Sequence, residues 1–127
     1  MKIKIEVEVT EQQIEDQLVT ALEGGSNHWY FLPDLEMLNP ETEGEPTSIR
    51  FWEAIKDGKN IPVWDMGIDE ETKEPLGEIN LQNIKAGLTV MAKEYPVHFL
   101  DLVQEQGDAE TADIFFQLSI MGKLIYG

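Results

Sequence analysis

Cysteine is absent from this chain of 127 residues. Its absence excludes a disulfide framework, a thiolate-ligated zinc or iron–sulfur site and a thiol nucleophile. Basic residues are scarce: 9 Lys plus Arg stand against 25 Asp plus Glu, for a net charge of −16, and Arg50 is the single arginine. A protein that neutralises phosphates needs clustered Lys and Arg. Between Lys93 and Lys123 the chain instead carries Glu94, Asp101, Glu105, Asp108, Glu110 and Asp113 with no Lys or Arg, so direct nucleic-acid binding is not expected. No apolar run approaches the roughly 20 residues of a membrane span, and Met1 to Ile5 alternates where a signal peptide would be continuously apolar. A soluble, cytoplasmic protein is expected, and by length one domain, 1–127.

Chemical motifs are equally sparse. The Gly-x-Gly-x-x-Gly and P-loop patterns are missing, and the Asp69–Glu74 run lacks the glycine and ligand spacing of a calcium loop. The two histidines, His28 and His98, fall on different predicted elements, so no two-histidine metal site is expected. Ser26 and His28, two residues apart on a turn, do not make a triad. No catalytic residue, metal or cofactor is assigned, and a binding function is favoured over an enzymatic one. Arg50 reads as a surface charge, or else as a clamp for an anionic ligand.

What remains is an α+β pattern. Lys2 to Val9 alternates charged residues with Ile3, Ile5, Val7 and Val9, the period of a strand with one buried face. Thr10 and Gln13 form a capping box ahead of a helix carrying Ile14, Leu18, Ala21 and Leu22 on one face, which Gly24-Gly25 is expected to end in a left-handed conformation. An acidic, proline-rich loop follows at 33–47, then a short helix from Ser48 to Asp57 with Trp52 inward. Ile61 to Ile68 and Leu76 to Ile79 read as a hairpin that pairs with the first strand. Three helices complete the chain: one capped by Asn80, one from Val97 to Gln106 after Pro96 and stopped by Gly107, and one from Ala109 to Met121 capped by Asp108. The expected fold is a small antiparallel sheet of about three strands with four to five helices.

Two segments carry a mixture that burial alone does not require. The first is the turn Gly24 to Tyr30, where Ser26, Asn27, His28, Trp29 and Tyr30 place donors, acceptors and rings in one short stretch. Trp52 and Trp64 read as core residues, whereas the Trp29 ring could stack on a flat ligand. The second is the last helix, apolar nearly all round, which implies burial in the core or at a subunit interface, and a homo-oligomer is expected. On it Glu110, Asp113 and Gln117 form one polar stripe at i, i+3 and i+7. The plain reading of the stripe is a favourable charge at the helix start and a solvated face. The functional reading sets it against the Gly24–Tyr30 turn as a polar pocket. The acidity likewise reads first as a solubilising surface and second as a phosphate mimic.

The blocks Ala-Leu-Glu-Gly-Gly-Ser-Asn-His-Trp-Tyr at 21–30 and Asp-Ala-Glu-Thr-Ala-Asp-Ile-Phe-Phe-Gln at 108–117, followed by Gly122 and Tyr126-Gly127, resemble a group of small uncharacterised bacteriophage and prophage proteins. The resemblance implies a phage origin, the cytoplasm of an infected bacterial host and a site near these blocks, without a mechanism; His28 stands where it leads one to expect an aromatic such as tyrosine. Taken together, these features suggest a phage-encoded, non-catalytic anti-defence protein. It would hold a small polar, nucleotide-type ligand through Ser26, Asn27, His28, Trp29, Tyr30, Glu110, Asp113 and Gln117. The alternative is an acidic nucleic-acid mimic whose partner is a basic host protein, a nuclease or CRISPR effector.

Overall fold

In a computed structural model, residues 1–32, 40–67 and 74–127 are described. The elements are α1 (Glu11–Thr20), a π-helical turn (Ala21–Gly25), β1 (Tyr30–Phe31), a 3-10 turn (Pro40–Thr42), α2 (Thr47–Lys56), β2 (Ile61–Asp65), β3 (Gly77–Ile79), α3 (Leu81–Glu94), α4 (Pro96–Val103) and α5 (Ala109–Met121). Among the described residues, five α-helices and an antiparallel three-stranded sheet of order β1-β2-β3 make the fold α+β. Tyr30 lies across from Asp65, and Ile61 across from Ile79. Among the described residues no helix is long and apolar enough to cross a membrane.

Local chemistry sets the helix ends. Thr10 accepts from the Gln13 backbone N–H at 3.1 Å while the Gln13 side chain accepts from Thr10 N–H at 3.0 Å, the reciprocal capping box. The same Gln13 amide donates to the Val103 carbonyl at 2.9 Å, which ties the start of α1 to the end of α4. Asn80 caps α3 by accepting from Asn83 N–H, and Asp108 caps α5 by accepting from Thr111 N–H.

The last helix is the central element. It packs on α3, on the π-helical turn, on α1, on α4 and on β3. Phe115 and Phe116 are wholly buried and Leu118 nearly so, because the helix is enclosed on most sides by its own chain. Its apolar surface is thus accounted for within one protomer. At Gly87 a Cβ would come within 2.8 Å of the Ser119 backbone nitrogen, so glycine lets α3 and α5 approach backbone to backbone.

Several expectations are corrected. Lys2 to Val9 forms no strand: β2 is the middle strand, both its edges are taken by β1 and β3, and the third strand comes instead from Tyr30–Phe31. Gly24 and Gly25 do not adopt positive φ; the helix relaxes into a π-helical turn whose last bond runs from Ser26 N–H to the Ala21 carbonyl at 2.8 Å. The fourth helix stops at Val103, short of Gln106, and the left-handed residue beyond it is Glu105, φ 59°, with no part played by Gly107. Arg50 is buried on α2, where its Nε donates to Thr42 Oγ1 at 3.0 Å. Trp52 is in the core as expected, whereas Trp64 is half-buried. The first part of the acidic loop (33–39) and the end of the expected strand with its turn (68–73) lie outside the described residues.

Candidate functional site

The two singled-out blocks meet. Gly25 packs so closely on the start of α5 that a Cβ there would stand 2.5 Å from the Ala109 carbonyl oxygen. That approach sets the following turn against the polar stripe. Asp113 is the centre: its Oδ1 accepts from Ser26 Oγ at 2.7 Å and from Trp29 Nε1 at 2.8 Å, and its Oδ2 accepts from Gln117 Nε2 at 2.8 Å. Ser26 is fully buried, and Trp29 and Gln117 are 2% and 1% exposed. Buried polar groups require partners, and here each of these has one or more.

The remaining partners come from the C-terminal tail. Gln117 Oε1 accepts from the backbone N–H groups of Ile125 at 2.9 Å and Tyr126 at 3.0 Å, and its Nε2 donates to the Tyr126 carbonyl at 3.0 Å. With Asp113, this uses all the donor and acceptor capacity of the amide. The Tyr126 ring stacks on Trp29, centroids 4.8 Å apart and planes 10° apart, and its hydroxyl donates to Asp65 Oδ2 at the end of β2. Asp65 Oδ1 also accepts from Gly67 N–H at 2.8 Å. Trp29 makes further ring contacts with Tyr30 and Phe116.

The electrostatics follow from these bonds. The Tyr126 hydroxyl and the Gly67 N–H hold the Asp65 carboxyl below the usual carboxylate range. Burial, reinforced by the Asp65 hydrogen bond and charge, pushes Tyr126 up to about 12. Tyr30 is also raised, by burial, and its hydroxyl donates to the Leu22 carbonyl at 2.7 Å, closing the end of the π-helical turn.

The eight expected ligand-binding residues therefore divide. Ser26, Trp29, Asp113 and Gln117 converge on one another. Asn27 and His28 point outward on the exposed side of the turn, Glu110 is exposed one turn earlier on α5, and Tyr30 is half-buried against Phe116. Sequence reasoning missed Tyr126 and Asp65 as members of the cluster; an aromatic four residues beyond the Gly122 stop was the available signal for the first. A further trio had no sequence signal: His98 Nδ1 lies 2.9 Å from Thr111 Oγ1, which donates to Asp108 Oδ1 at 3.2 Å. That geometry makes Nδ1–H the donor to the threonine. Thr111 is buried, so the trio reinforces the α5 cap.

Acidic side chains gather elsewhere. Lys56 on α2 pairs with Glu53 at 2.9 Å, and its charge is favoured first by that bond and also by Glu11 and Glu15 on α1, the helix packed on α2. On the other side of α1, Asp16 and Glu105 line one small polar cleft. Among the described residues no group of three or more His, Asp or Glu is placed to hold a metal ion. No family model matches the chain, and neither a curated protein nor a solved structure matches it.

Proposed function

We propose that this chain is a non-catalytic binding protein that presents an acidic surface to a basic partner protein, such as the nucleic-acid groove of a host nuclease or CRISPR effector. The observation that carries the reading is the acidity on both sides of α1: Glu11 and Glu15 act with Glu53 on Lys56 of α2, and Asp16 and Glu105 line the cleft on the other side. Glu53, Glu11 and Glu15 come from two helices and share Lys56, which is itself paired with Glu53 at 2.9 Å. Glu41 in the 3-10 turn, and Glu43 and Glu45 after it, add exposed charge. Such a surface attracts a basic groove over a distance set by ionic strength. The phage setting and the anti-defence role rest on the resemblance of the 21–30 and 108–117 blocks.

The test is competition with fluorescent duplex DNA for a panel of purified host nucleases and CRISPR effectors, repeated across a salt series. Displacement that weakens as salt rises, and that is lost on reversing Glu11, Glu15 and Asp16 to lysine, supports the reading. Displacement insensitive to both overturns it.

A second reading is favoured by one specific contact. Tyr126 lies on Trp29 where the flat ring of a nucleotide-type ligand would stack, and Gln117 bonds the tail through the same groups that would read a polar ring edge. A small ligand would then replace the tail. Calorimetry of Tyr126→Ala with candidate nucleotides tests this: binding that appears or tightens in the variant supports it, and silence in both proteins removes it.

A further inference from the structure

The segment 1–9 is an amphipathic strand sequence with no strand beside it among the described residues. Ile3 and Ile5 are 75% and 81% exposed and Val7 is 48% exposed, an apolar face that should be covered. Ile5, Val7 and Val9 form one wall of an open groove of about 840 Å³, and α3 and α4 form the other with Leu88, Phe99 and Leu100. Leu81 and Leu100 on these helices are also exposed. Among the described residues no strand pairs with the segment, the sheet being β1-β2-β3.

The charges on its opposite face identify the partner. Lys2, Lys4, Glu6 and Glu8 alternate with the apolar residues, positive in the first half and negative in the second. Antiparallel pairing with a second copy, centred on Ile5, sets Lys2 across from Glu8 and Lys4 across from Glu6, twice each by the two-fold symmetry. It also sets Ile3 across from Val7 on the other face. Parallel pairing in register would instead place like charges side by side, which is unfavourable. A register slip of one residue would put charged side chains on the apolar face.

We infer that residues 2–8 are a self-complementary dimerisation strand: two copies of the chain pair these segments antiparallel about Ile5, and the apolar face of the resulting ribbon covers the α3–α4 groove. The interface is isologous, so it closes at two copies, and it satisfies backbone groups that a lone strand exposes. The inference stands independently of the acidic-partner reading and brings two acidic surfaces into one particle.

Sedimentation of charge variants tests it, because positions 2, 4, 6 and 8 are exposed and their substitution leaves the core untouched, as circular dichroism would check. The wild-type chain is expected to be a dimer. K2E/K4E and E6K/E8K are each expected to self-associate roughly tenfold to a hundredfold more weakly, and the second does so although it lowers the net negative charge, which separates pairing from general repulsion. An equimolar mixture of the two should recover a heterodimer, and the full swap K2E/K4E/E6K/E8K should dimerise like the wild type. A wild-type monomer at the highest soluble concentration overturns the inference. So does a dimer indifferent to K2E/K4E, or a mixture that remains monomeric; a wild-type chain that instead captures an unrelated sheet edge would also overturn it.

Discussion

Trp29 and Tyr126, 97 positions apart in the chain, lie face to face at 4.8 Å, and each is fixed from its other end by a carboxylate, Asp113 for the indole N–H and Asp65 for the phenol. The stack joins the turn after α1, the last helix and the end of β2 through the tail. Its polar atoms serve one another, so the cluster acts as a clasp on the fold.

Removing the centre of the clasp is expected to be costly. Asp113→Ala leaves Ser26 Oγ, Trp29 Nε1 and one Gln117 donor without their acceptor in a buried setting, and about 2–4 kcal/mol of stability should be lost. Ser26→Ala removes one of these bonds and should cost about 1 kcal/mol. Urea unfolding of the two variants checks the order.

The tail should come free before the rest of the fold does. Gln117→Leu keeps the volume of α5 but strands the N–H groups of Ile125 and Tyr126. Hydrogen exchange at 123–127 should then rise strongly, with the emission of Trp29 altered, while exchange in α3 stays slow. Uniform acceleration across all helices would show that the tail is not a separable unit.

The clasp has a pH window at both ends. Asp65 is depressed in the fold, so its contribution is present above its unfolded value of 3.8 and is lost as pH falls through the lower folded value. Tyr126 is raised, so its contribution is present below 10.0 and is lost as pH rises toward about 12. Tyr126→Phe removes the shared bond and should flatten the stability profile at both extremes. Thermal melts from acid to alkaline pH make the comparison.

Glycine at 25 is set by space. Gly25→Ala drives a methyl against the Ala109 carbonyl oxygen, 2.5 Å away and part of the backbone, and should cost about 1–3 kcal/mol as overpacking. Gly24→Ala meets nothing within 4 Å and should be close to neutral. Paired denaturation curves separate the two.

Caps and faces were legible in the sequence because they are local. Thr10 with Gln13, Asn80 and Asp108 announced three helix starts, and the apolar girth of 109–121 announced a buried helix. The contact between the stripe and the Gly-Gly turn was one of two readings, since polar groups on an apolar helix find partners either in water or in the fold. Direction was not legible: nothing local says that Ser26 and Trp29 turn inward while Asn27 and His28 turn out. Nor does alternation at 2–9 name its partner, because period fixes the faces of a strand and leaves its neighbour to the rest of the fold. Arg50 misled for a related reason, a charge beside an acidic loop being indistinguishable in sequence from one folded beneath it.

The central claim divides labour between an internal clasp and an external acidic surface, and one competition assay tests it most directly. Ser26→Ala and the triple reversal of Glu11, Glu15 and Asp16 to lysine would be compared at equal folded concentration for displacement of duplex DNA from a basic host effector. The account predicts that Ser26→Ala, although less stable, displaces DNA as the wild type does, and that the stable triple variant does not. Loss of displacement in Ser26→Ala with full displacement by the triple variant would contradict it.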